Sequence, residues 1–359
     1  MTTLSRRRKI VFALVAMTLS FVVMIGLLLA ADLIVHHRAE RSAGLNWRGY
    51  RGPVIPRKQP GELRVVMVGG STVFGYGVAW TESIPAYLES KLAERLQRPV
   101  RVVNLGFNNE GAHAFLPNLE DFSYLDYDVA VLYEGYNDLP GDAGPNRNVY
   151  RRQSAIYRAF GYYPILPLYL EEKARTLQFG DLNAAYDELG GTGAQKPQVV
   201  FRPGLADRTS AAALQAISAM TRALDGQLAR DGVVPPPAIK ESESALGCTD
   251  PYVTFCESVA AAVRHGLGRG HGMVVAAQPR AIGDVSGPRH QHQREMLASM
   301  VQREFGREAR VVWADCSTAV DLASVDVTFD GMHLKPDANA MVAAALVEPV
   351  VRAAEAARR

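Results

Sequence analysis

Apolar positions along the chain follow two regimes. From Ile10 to Ala31 they are continuous: IVFALVAMTLSFVVMIGLLLAA holds 22 residues without a charge. A helix of that length rises roughly 33 Å, against a hydrocarbon core of about 30 Å. The stretch therefore predicts a transmembrane helix over residues 10–31. A cleaved signal peptide is the rival reading, since Leu29-Ala30-Ala31 leaves room for cleavage. A buried core helix fits poorly at this length with no polar face.

A connector, rich in Pro, Gly and Arg towards its end, occupies residues 32–62, and the pattern then changes. Arg64–Val68, Val100–Leu105, Tyr127–Tyr133, Met273–Ala277 and Arg310–Ala314 read as buried strands. Ser83–Leu96, Ala112–Leu125, about His290–Phe305 and about Asp337 to the end of the sequence read as helices. Near-continuous apolar strands alternating with helices predict a parallel sheet covered on both faces. The expectation is a three-layer α/β/α sandwich with a five-stranded parallel sheet over residues 63–359.

The alternation breaks at about 140–250, which reads as an insertion over one end of the sheet. It holds an aromatic, proline-rich piece, AIYRAFGYYPILPLYL, at Ala155–Leu170, and GGTGAQKPQ at Gly190–Gln198. A helix pattern follows at Ser210–Ala229, then GVVPPP at Gly232–Pro237. The apolar piece fits either the insertion's own core or a lid or membrane-contacting patch.

Composition narrows the class. Hydrophobic residues make up 48% and charged residues 21%, as in an ordinary globular protein with a sizeable core. The net charge of +2 is nearly balanced, and Arg6, Arg7, Arg8 and Lys9 stand together before the apolar stretch. No basic nucleic-acid surface is left over. The same cluster makes residues 1–9 a cytoplasmic tail and puts everything after residue 32 outside, in the periplasm. There, Cys248 and Cys256 could close a short disulfide loop worth roughly 2–3 kcal/mol. Three buried thiols, with Cys316 as the third, fit equally well. No Cys/His spacing suggests zinc.

The chemistry gathers where strands end. The first strand runs into VGGSTVFGYGV, a sharp turn carrying Ser71. A phosphate loop is excluded because Tyr76-Gly77 stands where Lys and Ser/Thr are required. A dinucleotide fingerprint fails because Gly69 and Gly70 are adjacent. Val73 breaks the G-x-S-x-G elbow of common α/β-hydrolases. After the second strand comes NLGFNNEG with Gly106, and after the third YEGYNDLP with Gly135, Asn137 and Asp138. After the last comes FDGMHLKPDAN, with Asp330 and His333 three apart. Carboxyl ends of parallel strands share one edge, where ligands bind. Of the other histidines, His290 and His292 form an H-x-H that no carboxylate motif completes into a metal site. His113 lies two residues beyond Gly111, where either a place at the pocket's border or one away from it fits, while His265 and His271 read as solvated.

These blocks, VGGST, NLGFN, GYND and DGMH in that order, resemble the SGNH or GDSL-type serine hydrolase superfamily. The resemblance implies a flavodoxin-like sandwich and serine-dependent ester or acyl chemistry with no metal or organic cofactor. One residue departs from it: Gly70 stands where the family's Gly-Asp-Ser turn carries its aspartate.

The roles of the residues agree with that family. Ser71 is a weak nucleophile that needs an adjacent base. His333 can take its proton, and Asp330 can fix the imidazole tautomer. The N–H of Ser71, the N–H of Gly106 and the amide of Asn137 would hold the oxyanion. Glycine at 106 would leave the substrate's approach open. Gly70, Gly135 and Asp138 support the turns, with Asp138 bonding backbone beneath the site. The expected activity is an ester hydrolase on a small-molecule, glycan or lipid acyl ester. An O-acyltransferase or deacetylase of an envelope glycan would use the same triad, and a non-catalytic envelope scaffold is the reading from another class.

Overall fold

The computed structural model describes residues 5–40, 44–139, 149–179, 246–280, 287–324, 326–329 and 331–358. Among them the chain divides into two compact units, one of residues 1–39 with 155–231 and one of residues 40–154 with 232–359.

The second unit holds the sheet. Strands β1 (Leu63–Gly69), β2 (Val100–Asn104), β3 (Val129–Tyr133), β4 (Gly272–Ala277) and β5 (Val311–Asp315) lie in the order β2-β1-β3-β4-β5, all parallel. Each strand sits where an apolar run predicts it; the central strands, covered on both faces, have little polar side to show, whereas the edge strands expose Arg101 in β2 and Asp315 in β5. Every residue of β1, β3 and β4 is buried.

On one face pack the helices Ile84–Leu96 and Pro336–Ala357, which touch each other and bury Leu88, Leu92, Val342 and Leu346 against the sheet. On the other face the helix Phe115–Asp121 packs against Val253–Gly268. The latter helix has no counterpart among those the sequence pattern predicts. The expected helix over Ala112–Leu125 is broken into a 3-10 turn at Ala112–Ala114, the helix at Phe115–Asp121 and a second 3-10 turn at Ser123–Leu125. Pro117 has no N–H to give and suits a helix's first turn, where it stands in the helix that begins at Phe115. Cys248 and Cys256 are joined in a disulfide, and Cys316 is a buried free thiol that burial pushes up to about 12.

The first unit is built on one long helix, Arg6–Ala39, whose apolar side chains are exposed, Phe12 by 61% and Leu27 by 67%. It is long and apolar enough to cross a membrane, as a span or as a signal sequence. Just past the apolar run, Asp32 is buried and accepts hydrogen bonds from the Tyr162 hydroxyl and from the N–H groups of Ile165 (2.9 Å) and Leu166 (2.5 Å). His36, one turn on, pairs with the Tyr163 carbonyl at 2.8 Å. The aromatic piece at Ala155–Leu170 forms the helix Ala155–Phe160 and the start of Leu166–Phe179. Tyr157, Tyr163 and Ile165 are buried, whereas Phe160 is 77% exposed. The predicted stretches Gly190–Gln198, Ser210–Ala229 and Gly232–Pro237 lie outside the described residues.

Candidate active site

Strand β1 runs into the turn that carries Ser71. Gly69 pairs with Tyr133 of β3, and a Cβ at 69 would meet the Tyr133 carbonyl oxygen at 2.2 Å and Val73 Cγ2 at 2.5 Å. Only glycine lets the chain turn that tightly into the short helix Ser71–Phe74, which Gly75 ends in the left-handed conformation (φ 82°). Ser71 opens this helix, so its N–H has no intrahelical partner. Its Oγ lies 2.8 Å from His333 Nε2. The histidine is carried by a tight loop in which Thr328 and Leu334 form a bridge and Phe329 N–H donates to the His333 carbonyl at 2.9 Å. The Tyr76 ring packs on the imidazole, centroids 4.7 Å apart. Asp330, the predicted third member, lies outside the described residues.

The expected oxyanion donors stand around this turn. Gly106 N–H donates to Asn104 Oδ1 at 3.0 Å, while Asn104 Nδ2 donates to the Val73 carbonyl at 2.9 Å. Glycine at 106 also has a reason the sequence did not suggest: a Cβ there would meet Phe74 N at 2.4 Å and Val73 C at 2.8 Å. Close packing on the Ser71–Phe74 turn, rather than only substrate access, demands the missing side chain. Asn137 lies in the 3-10 turn Tyr136–Asp138, and its Nδ2 donates to the Glu110 carbonyl at 2.9 Å.

Buried carboxylates lie beneath these donors. Glu134 follows β3 directly and accepts the N–H groups of Gly70 (2.6 Å), Gly135 (2.9 Å) and Asn137 (3.2 Å). Burial pushes it up to about 7, against those N–H groups and the charge of His333. Asp138 accepts the Ala112 N–H at 2.9 Å, and burial with the nearby Glu134 charge pushes it up to about 8. That bond ties the Asn137 turn to the 3-10 turn bearing His113. Glu110 is 1% exposed and joins Asn118 Nδ2 (3.1 Å) and the Tyr150 N–H (3.1 Å).

A further strand end joins in from β4. Gln278 Nε2 donates to Thr72 Oγ1 at 2.8 Å, and Gln278 Oε1 accepts the Tyr136 N–H at 3.0 Å, linking the Ser71 and Asn137 turns. His290 stacks on Tyr136, centroids 4.2 Å apart, in the buried helix face that carries Gln293. His265 and His271 are half-buried rather than solvated, His271 packing on the Tyr127 ring. No metal-holding cluster occurs among the described residues.

Sequence reasoning missed Glu134, Asn104, Glu110, Gln278 and Tyr76. Glu134 left a trace, a lone acid closing an otherwise apolar strand. The others show only in three dimensions.

His290 makes a testable contribution to stability. Burial and the charge of Arg294 push it down to about 4, from about 6.5 in an unfolded chain. The folded state therefore holds it neutral, and its contribution is complete above pH 6.5 and lost as pH falls towards 4. Urea titrations of the wild type and His290→Gln at pH 7 and pH 4 should show the wild type losing up to about 3 kcal/mol more than the variant. Equal losses would mean that His290 titrates freely.

The family model of the GDSL-like lipase/acylhydrolase family matches residues 67–341. No curated protein matches the chain. Among solved structures, an alpha/beta hydrolase enzyme from the metagenome of Lake Arreo, Spain, is 12% identical, with a TM-score of 0.42 over 81% of this chain and 96% of that one. An acetyl xylan esterase from Geobacillus stearothermophilus is 11% identical, with a TM-score of 0.40 over 80% of this chain and 94% of that one. A member of the lipolytic protein G-D-S-L family from Veillonella parvula is 11% identical, with a TM-score of 0.40 over 81% and 99%.

Proposed function

The chain belongs to the GDSL-like lipase/acylhydrolase family and is an ester-hydrolysing enzyme, and on that premise we propose that Ser71, His333 and Asp330 form its catalytic triad. The observation that carries this reading is the 2.8 Å contact between Ser71 Oγ and His333 Nε2. His333 Nε2 takes the hydroxyl proton as Oγ attacks the ester carbonyl carbon. Asp330 receives the other ring N–H and stabilises the imidazolium. The Ser71 N–H, the Asn137 amide and the Gly106 N–H, the last shared with Asn104, hold the oxyanion. Collapse of the tetrahedral intermediate expels the alkoxide, which takes the proton from His333 and leaves as the alcohol. Water, deprotonated by the same histidine, then releases the acid and restores Ser71. A fluorophosphonate, which reacts with activated serines, tests the reading: the full-length protein is expected to be labelled, and an inert protein would overturn it.

The substrate class in this proposal is a carbohydrate or lipid acyl ester outside the cytoplasm. Residues 1–9 form a cytoplasmic tail, 10–31 the membrane span and 32–62 the connector; the hydrolase domain is 63–359, with its insertion at about 140–250. The exposed apolar surface of Arg6–Ala39 and the charge cluster Arg6–Lys9 support this topology. A reporter active only in the periplasm, fused after residue 40, is expected to be active. The protein should also stay in the membrane through a carbonate wash. Release with a new N-terminus near Asp32 would replace the anchor with a cleaved signal.

A further inference from the structure

The turn before Ser71 lacks the acidic residue that the Gly-Asp-Ser block carries, and the place of that side chain is filled. The Gly70 backbone (φ −87°, ψ −148°) is not in the left-handed region that favours glycine. A Cβ there, however, would lie 2.4 Å from Glu134 Oε2, 2.2 Å from Asn137 Nδ2 and 2.7 Å from the Glu110 carbonyl oxygen. The register that sets Gly69 beside Tyr133 brings the next residues, Gly70 and Glu134, together past the ends of β1 and β3. One buried carboxylate thereby holds two turns. Its Oε2 accepts the N–H immediately before Ser71 at 2.6 Å, with Asn137 Nδ2 at 3.5 Å. Its Oε1 accepts the N–H groups of Gly135 and Asn137 at 2.9 Å and 3.2 Å.

We propose that Glu134 is a positioning residue: from the end of β3 it supplies the carboxylate that the nucleophile turn lacks, clamping the Ser71 turn to the Asn137 turn and so setting the oxyanion hole. The inference rests on the reading of Ser71 as nucleophile and Asn137 as oxyanion donor. All the groups facing the carboxylate are donors, and an anion with two oxygens can satisfy both sides at once. An amide of the same shape cannot, because its NH₂ group must face a backbone N–H on one side or the other. A misaimed hole weakens transition-state binding and leaves ground-state binding alone.

The test is a mutant cycle on the full-length protein with p-nitrophenyl acetate as probe ester. Glu134→Gln is expected to lower kcat by about 10- to 100-fold with KM within about twofold, a pattern that general loosening of the fold would not produce. Asn137→Ala is expected to cost about 10²–10³ in kcat. Because Glu134 acts in part through Asn137, the combined loss should fall short of the product of the single losses by at least about threefold. If Glu134→Gln does not fold, Glu134→Asp, which keeps the charge but is too short to reach both turns, is expected to show the same kcat loss at unchanged KM. A folded Glu134 variant with wild-type kcat, a loss confined to KM, or fully multiplicative losses would overturn the inference. Turnover surviving in Ser71→Ala would instead sink the reading of the site beneath it, so the two failures are distinct.

Discussion

Ser71→Ala is expected to abolish ester turnover, with kcat falling by about 10⁶, and to remove fluorophosphonate labelling completely. The size of the effect follows from what the hydroxyl does. Without Oγ no acyl-enzyme can form, and the remaining oxyanion donors can assist only direct attack by water. The fold should persist. The hydroxyl's neighbour across the site is His333 at 2.8 Å, and a single lost hydrogen bond costs about 1 kcal/mol. The turn itself is held by backbone bonds from Phe74 to the Gly70 carbonyl and from Gly75 to the Ser71 carbonyl, which alanine keeps. Circular dichroism and thermal melting would check the fold beside the activity assay. Labelling that survives in the folded variant would move the nucleophile elsewhere.

Much of the scaffold that holds this serine was legible in the sequence. Strands buried on both faces are largely apolar, so β3 and β1, in which Arg64 is the single charge, announced themselves, and their ends located the polar blocks. The helix at Val253–Gly268 escaped because it follows the stretch in which the strand–helix alternation of the sequence breaks, and Tyr252 gives it no side-chain cap to mark its start. The site was legible for the residues that stand in motifs and opaque for those that hold them. Gly106 was read as an opening for substrate, yet its contact with Phe74 and Val73 depends on how β2 exits beside the nucleophile turn. Glu134 shows in the sequence only as a lone acid closing an apolar strand. Only the parallel register with β1 shows that it faces Gly70. Gln278, more than two hundred residues from Thr72, joins it only because β4 lies beside β3.

His333 and Asp330, the base and orienting acid of the proposed triad, give the other large effect. His333→Ala removes the acceptor of the serine's proton and the donor to the leaving alcohol in one change, so its loss should approach that of Ser71→Ala. Asp330→Asn keeps the size of the side chain but can donate to the ring and favour the wrong tautomer, an effect worth about 10⁴ in a Ser-His-Asp protease. The three-residue spacing of Asp330 and His333 in the sequence is what recommends Asp330 as the orienting acid. The losses should not multiply: Asp330→Asn combined with His333→Ala is expected to be no slower than His333→Ala alone, because an orienting acid has nothing to orient once the imidazole is gone. Initial rates on p-nitrophenyl acetate for the two single variants and the double variant check this. An Asp330→Asn enzyme within about threefold of wild type would show that another carboxylate orients the ring, and a double variant markedly slower than His333→Ala would show that Asp330 acts on the reaction by a route other than the histidine.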